Sequence, residues 1–150
     1  MKFFLDENIN YGCVAPLRAV YRDHEFRHAH DEGLAGEQDV PLFGKLQEQK
    51  YDAILTKDRN QLTNPEERRA LFDSGLHWIG HVAKGFKGLM NLTMETATVT
   101  AGLIYVLNDW KPEPHSYQLR GIPNEPGQRV KVRAVALDEW PDDYSGRGVA

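Results

Sequence analysis

The stretch that decides the fold is MKFFLDEN, residues 1–8. Lys2 to Leu5 is too short and too apolar for a surface helix, and it predicts a buried strand of a parallel sheet. Asp6, Glu7 and Asn8 then fall where the carboxyl end of that strand meets solvent. Because ligands of open α/β sheets bind at this edge, acids placed directly after the strand indicate a cation site.

The length and composition indicate one globular domain. A chain of 150 residues can bury a substantial core, and 41% hydrophobic and 27% charged residues are typical of a soluble protein. No apolar run approaches the ~20 residues that span a bilayer, and the N-terminus lacks the pattern of a signal peptide. A single cysteine, Cys13, allows no internal disulfide and favours a cytoplasmic location. The formal net charge of −4 argues against a general polyanion-binding protein but suits a bound cation.

Strand and helix patterns alternate along the first 110 residues. Period-two or short apolar runs predict strands, and apolar residues at helical spacing predict helices. The predicted strands lie at residues 2–5, 25–28, 51–56 and 76–82, and the predicted helices lie at residues 11–22, about 40–49, 65–74 and 89–109. This order predicts a three-layer α/β/α domain around a central parallel sheet.

The pattern changes after Pro114. Residues 116–120 and 129–137 predict two strands joined by a turn rich in proline and glycine, and the second strand alternates in polarity. We predict a main domain at residues 1–114 and a C-terminal β-hairpin extension of the same domain at 115–140. Residues 141–150 are expected to form a flexible tail.

Acids stand at three of the predicted junctions between strands and helices. Asp6 follows the first strand, Asp39 begins the second helix, and Asp58 follows the third strand with Asn60 two residues on. A parallel sheet brings such junctions to one edge, where several carboxylates suit Mg²⁺ or Mn²⁺. Metal-assisted phosphodiester hydrolysis is the reaction that follows. Taken singly, each aspartate is better explained as a residue that caps a helix N-terminus, and only their combination at successive junctions favours a functional site.

Basic and histidine residues give weaker signals. Loop cations near the predicted acidic edge are candidates for holding RNA phosphates, although any one of them is better explained as solvated charge. These residues are Lys57, Arg59, Lys84 and Lys87. Two histidine pairs lack a third ligand at a recognisable spacing, which indicates surface or core residues rather than a metal site. The pairs are His28 with His30 and His77 with His81.

Three segments, in the right order and at the right spacing, resemble the small PIN-like proteins related to VapC-type toxins. They are FLDEN at residues 4–8, GLAGEQD at 33–39 and ILTKDRN at 54–60. The resemblance covers about residues 1–109. It implies a PIN fold and a Mg²⁺- or Mn²⁺-dependent endoribonuclease, often the toxin of a toxin–antitoxin pair with a cognate antitoxin as its partner.

The resemblance also implies roles for individual residues. Asp6, Asp39 and Asp58 match the family's acidic positions and are expected to ligate the metal. Asn60 stands where the family usually has Asp, and Gln61 stands where it has Phe. Asn60 can ligate through its carbonyl oxygen or hold a water molecule, but one negative charge is lost. We therefore expect weaker metal affinity.

Two alternatives follow from these departures and from the first strand. One is a PIN-like interaction protein with impaired catalysis, which binds an antitoxin or forms a homodimer. The other is a phosphate-transfer receiver, which shares the acidic first strand. The predicted strand at residues 76–82 contains no lysine of the kind a receiver needs, so the first alternative is the stronger.

Overall fold

Five parallel strands form the central sheet in the described part of this protein. The computed structural model describes residues 1–82 and 85–135. Neighbouring strands follow the order β2-β1-β3-β4-β5, and all four pairings are parallel. The strands are β1 (Lys2–Leu5), β2 (Glu25–His28), β3 (Ala53–Thr56), β4 (His77–His81) and β5 (Ser116–Leu119). The predicted parallel sheet is confirmed, because every carboxyl end lies at the same edge.

Helices cover both faces of the sheet, which gives the predicted three layers. The helices are α1 (Val14–Val20), α2 (Asp39–Glu48), α3 (Asn60–Thr63), α4 (Pro65–Asp73), α5 (Gly88–Asn108) and α6 (Pro126–Arg129). Helices α1 and α5 pack on one face, and α2 and α4 pack on the other. A short 3-10 turn at Tyr11–Cys13 precedes α1. The one-turn helix α3 was not predicted from the sequence.

Strand β1 separates two hydrophobic cores. Phe3 and Leu5 point into the core beneath α1 and α5, and Phe4 points into the core beneath α2 and α4. All three side chains are almost completely buried. Successive side chains of a strand point to opposite faces, so a strand covered on both sides must be apolar throughout. The short apolar run before Asp6 therefore packs into both hydrophobic cores.

Helix α4 begins and ends as its local sequence predicts. The Asn64 side chain accepts hydrogen bonds from the backbone N–H groups of Glu66 and Glu67, and Pro65 occupies the first turn. Gly75 follows the helix and has a φ of +75°, in the left-handed region of the backbone. Asparagine before proline is a strong helix start, and glycine tolerates the left-handed backbone that closes a helix. These signals fix Glu67 in the first turn of α4.

Helix α5 is the longest helix in the described part of the chain. It packs Val99, Leu103 and Val106 against the sheet and also buries Glu95. None of the helices formed by residues 1–82 and 85–135 has both the length and the apolar character that crossing a bilayer requires.

The predicted C-terminal hairpin is wrong in the described part of the chain. Residues 116–119 form β5, which pairs parallel with β4 inside the main sheet rather than with a following strand. Helix α5 supplies the crossover that a parallel strand needs. Residues 126–129 form a helical turn, and 130–135 are exposed and form no strand. Alternating polarity specifies a strand only where a partner edge is available. The rest of the second predicted strand, and the tail predicted at 141–150, lie outside the described residues.

Candidate metal centre at the carboxyl edge of the sheet

Asp6 is fixed at the carboxyl end of β1. Its backbone N–H donates to the carbonyl oxygen of Leu55 at 2.9 Å, which ties the residue to β3. The Glu7 N–H donates to Asp6 Oδ1 at 2.9 Å, and the Thr56 hydroxyl donates to Asp6 Oδ2 at 2.8 Å. The residue is only 7% exposed. Burial raises the pKa of Asp6 above its ordinary value, even though these hydrogen bonds favour the carboxylate.

Gln61 joins Asp6 to Asp39. Its amide nitrogen, Nε2, lies 2.9 Å from Asp39 Oδ1 and 3.3 Å from Asp6 Oδ2. Its amide oxygen, Oε1, accepts a hydrogen bond of 3.2 Å from the indole N–H of Trp78. The residue has no exposed surface. Because one NH₂ group serves both carboxylates, the first and second predicted acids are neighbours in the fold.

Gly80 allows Trp78 to reach Gln61. The two residues lie two positions apart on β4, so their side chains would share one face of the sheet. A Cβ atom at residue 80 would lie 2.1 Å from the Trp78 ring. Only glycine leaves the space that the indole occupies, and the indole in turn sets the orientation of the Gln61 amide.

Asp39 is a partly buried carboxyl group with other acids close to it. It is the first residue of α2. Burial, a hydrogen bond with the Glu67 carboxyl, and the charge of Asp58 raise the pKa of Asp39 to about 6, against the lowering effect of Gln61. None of the ion pairs in the described part of the chain involves Asp6, Asp39 or Asp58. The cluster therefore concentrates negative charge without a basic partner.

Asp58 completes the group of three predicted aspartates, and Asn60 lies at its rim. The Asp58 N–H donates to Thr56 Oγ1 at 3.0 Å, and the Asn60 N–H donates to Asp58 Oδ1 at 3.0 Å. Asp58 lies near enough to Asp39 to raise its pKa. Asn60 is exposed and contacts Asp58 through its backbone. The fold thus gathers the aspartates and leaves the asparagine side chain at the surface.

The donor set has the chemistry of a site for a hard divalent cation. Its oxygens come from carboxylates whose mutual repulsion a cation would relieve, which fits Mg²⁺ or Mn²⁺. In the described part of the chain, however, no three Asp, Glu, His or Cys side chains stand ready to hold a metal ion. The Gln61 amide, which is bonded to Asp6 and Asp39, lies where these two carboxylates converge. The chemistry of these oxygen donors fits the ion, and the Gln61 amide bridges two of the carboxylates.

Glu7 and Asn8 hold the loops around this cluster. Glu7 accepts a hydrogen bond of 2.9 Å from the N–H of Gly36, in the loop before α2. Asn8 Oδ1 accepts from the Lys57 N–H at 3.0 Å, and its amide donates to Thr56 Oγ1 at 3.2 Å. The two residues after Asp6 therefore connect β1 to the segments that carry the other two aspartates.

A second polar cluster lies at the same edge on the α5 side. Lys57 Nζ lies 3.1 Å from Glu95 Oε2, and the Asn10 N–H donates to Glu95 Oε1 at 2.9 Å. Burial alone would raise the pKa of Glu95, but contacts with His81, Asn10 and Lys57 outweigh it, so the pKa lies below its ordinary value. His81 Nε2 lies 3.7 Å from Glu95, beyond hydrogen-bond distance. Lys57, a candidate for phosphate binding, is thus paired with a carboxylate.

Two of the other three predicted candidates lie in described segments that follow β3 and β4. Arg59 is exposed, and so is Lys87, at the start of α5. Lys84 lies outside the described residues.

Two of the four paired histidines, His28 and His77, have hydrogen-bond partners in the core. His28 Nε2 lies 2.7 Å from the Ile9 carbonyl oxygen, and its Nδ1 accepts from the His30 N–H. His77 Nδ1 accepts from the His115 N–H. Nε2 of buried His81 has no hydrogen-bond partner among the described residues, and His30 is exposed, so the two pairs contain three buried histidines and one exposed one.

Three functional candidates escaped the sequence reasoning. Gln61 was noted only as a departure from a family pattern, and neither Glu67 nor Glu95 was named as a site candidate. Gln61 and Glu67 lie close to Asp58 in sequence, and both are polar on helices next to the acidic edge. Glu95 is an acid on the otherwise apolar face of α5. A charged residue on a buried helix face was the signal available for it.

A comparison with known proteins identifies the family. No curated protein and no solved structure matches the chain significantly. A family model described as PIN like domain matches residues 1–82, which contain β1 to β4 and all three aspartates. That segment is more than half of the 150 residues. The chain therefore belongs to the PIN-like domain family.

Proposed function

We propose that this protein is a metal-dependent endoribonuclease that hydrolyses RNA phosphodiester bonds at the edge formed by Asp6, Asp39 and Asp58. One observation carries the proposal: three carboxylates from separate elements converge with no basic partner among the described residues, and the pKa of Asp39 rises to about 6. A divalent cation bound at this edge would offset the repulsion among these carboxylates. Membership of the PIN-like family supports a nuclease type of activity.

The residues of the site have separable roles in this proposal. Asp6, Asp39 and Asp58 hold Mg²⁺ or Mn²⁺, which when bound supplies Lewis-acid activation of water and of the phosphoryl group. Thr56 orients Asp6 through the hydroxyl that also accepts from the Asp58 N–H. Exposed Arg59 attracts the phosphate backbone, and so does Lys87.

A metal titration tests the site directly. Mn²⁺ is expected to raise the melting temperature of the wild-type protein but not of Asp6→Asn, because the variant loses a buried ligand. Asp73→Asn is the matched control. Asp73 is an exposed aspartate at the last residue of α4, where it pairs with Arg69. Equal metal responses of Asp6→Asn and wild type would contradict the proposed site.

A cleavage assay tests the activity. Labelled single-stranded RNA is incubated with wild type, Asp58→Asn and Asp73→Asn, each with Mn²⁺ or with a chelator. Cleavage is expected only with wild type and Asp73→Asn, and only with the metal. If the metal binds and no RNA is cut, the site is real and the nuclease assignment is wrong.

An interaction protein is the second candidate, and Gln61 favours it. This residue bonds both Asp6 and Asp39, and the charge of a fourth acid is missing at Asn60. In this reading the domain binds a cognate antitoxin or forms a homodimer, and it does not cut RNA. The mass of the particle in solution, measured by light scattering with and without Mn²⁺, tests the dimer.

The role as the toxin of a toxin–antitoxin pair is part of the leading proposal and rests on the family resemblance. Induced expression of the wild-type chain is expected to slow growth of a bacterial host, whereas Asp6→Asn is expected to have no effect at equal protein levels. Slow growth with both variants would point to a burden of expression and would contradict toxicity by catalysis.

A further inference from the structure

Gln61 directs a neutral amide group at two carboxylates of the acidic cluster. Its NH₂ group donates to Asp39 Oδ1 at 2.9 Å and reaches Asp6 Oδ2 at 3.3 Å, so the partial positive charge of the amide points at two carboxylates. The side chain is completely buried, which excludes water from the same position. A hydrogen bond to a charged acceptor is stronger than one between neutral groups. Gln61 therefore partly relieves the repulsion that a metal ion would otherwise relieve.

The orientation of this amide is fixed by its other end. The indole N–H of Trp78 donates to Gln61 Oε1 at 3.2 Å, and an indole nitrogen can only donate. If the amide rotated by half a turn, its NH₂ would face the indole N–H and its oxygen would face the two carboxylates. Both contacts would then be repulsive. The oxygen of Gln61 cannot serve as a metal ligand while Trp78 holds it.

We infer that Gln61 is a latch on the metal centre, a side chain that closes the acidic cluster in the metal-free protein and must leave when a divalent ion binds. This inference rests on the proposed metal site and adds to it a positioning residue that opposes metal binding. The displacement breaks the contacts of Gln61 with Asp6 and Asp39 and releases the indole N–H of Trp78. The latch keeps the empty cluster stable and weakens its affinity for the ion.

The first test measures metal affinity with and without the latch. Gln61→Met keeps the length of the side chain and removes the amide, so Mn²⁺ is expected to bind about tenfold to a hundredfold more tightly in calorimetry, the equivalent of one or two charge-assisted hydrogen bonds. Gln118→Met is the matched control, because Gln118 is exposed on β5, at the other side of the sheet. It is expected to leave the affinity unchanged.

The second test makes its measurement on the wild-type protein and needs a variant only to assign one signal. The indole N–H signal of Trp78 is assigned in a nitrogen-15 NMR spectrum by its absence from Trp78→Phe, and Mg²⁺ is then added. Loss of its acceptor is expected to shift this signal upfield and to speed its exchange with water. A Trp78 signal that stays in place while the backbone signals of Asp6 and Asp58 move would overturn the latch.

The outcomes separate the latch from the proposed function. Tighter binding by Gln61→Met, with wild type also binding, supports both. Binding by Gln61→Met alone supports the latch and contradicts metal-dependent activity of the natural chain. Equal affinities overturn the latch and leave the metal site standing, and weaker binding by Gln61→Met shows instead that the amide supports the ligands. If neither protein binds the ion, both ideas are wrong.

Discussion

Replacement of Asp39 by asparagine should stabilise the metal-free protein at neutral pH. Asparagine keeps an oxygen that can accept the hydrogen bond from Gln61 Nε2 but removes the charge that burial, Glu67 and Asp58 oppose. Since the pKa of Asp39 rises from 3.8 to about 6, ionisation costs the folded state about 3 kcal/mol relative to the unfolded chain at pH 7. Asp39 is partly exposed, so solvent screening reduces the expected gain to about 1–2 kcal/mol.

The pH dependence of this gain gives the sharper test. A carboxyl whose pKa is raised by folding binds its proton more tightly in the native state, so the wild-type protein loses stability as the pH rises from about 4 to about 6. Asp39→Asn should lack that loss. Urea unfolding at pH 4, 5, 6 and 7.5 measures both proteins, and their curves should meet near pH 4. A variant that is less stable at pH 7.5, or a difference that is constant with pH, would refute the electrostatic reasoning.

Three further changes test the packing around the site, each by urea unfolding. Gly80→Ala should destabilise the protein by about 1–3 kcal/mol, because the new Cβ overlaps the Trp78 ring, and a neutral effect would contradict the described packing. Glu95→Gln should cost about 1–3 kcal/mol at pH 7, because it leaves Lys57 without its partner, and Lys57 is 20% exposed. The pKa of Glu95 is lowered by folding, so this cost should vanish as the pH falls below the ordinary glutamate range, and persistence there would point to packing instead. Asn64→Ala should cost about 1 kcal/mol through loss of the helix cap, and Asn64→Asp should recover most of it.

The sequence predicted those parts of the fold that depend on local patterns. The apolar run before Asp6, the Asn64-Pro65 helix start and the alternation of strands with helices each have a local physical cause, and the structure contains all of them. The convergence of Asp6 and Asp39 followed from the parallel sheet alone. The strand at 129–137 was wrong in its described part, because alternation cannot reveal whether a partner edge exists.

The contacts that close the cluster could not be predicted in this way. Gln61 acquires its role only because Trp78, on a different strand, lies over the bare backbone of Gly80 and reaches its amide oxygen. Glu67 contacts Asp39 only because α2 and α4 pack on the same face of the sheet. Such contacts depend on distances between elements, and no spacing along one segment encodes them.

The turn that follows β3 separates the charges at the carboxyl edge. Thr56 and Asp58 project to the side where Asp6 and Asp39 lie, whereas Lys57 between them projects to the opposite side and meets Glu95. A basic residue adjacent in sequence to an acid is thereby kept from neutralising it. The short segment from Thr56 to Asp58 thus keeps an ammonium group apart from the carboxylates next to it in sequence, and a residue inserted there would disturb this separation.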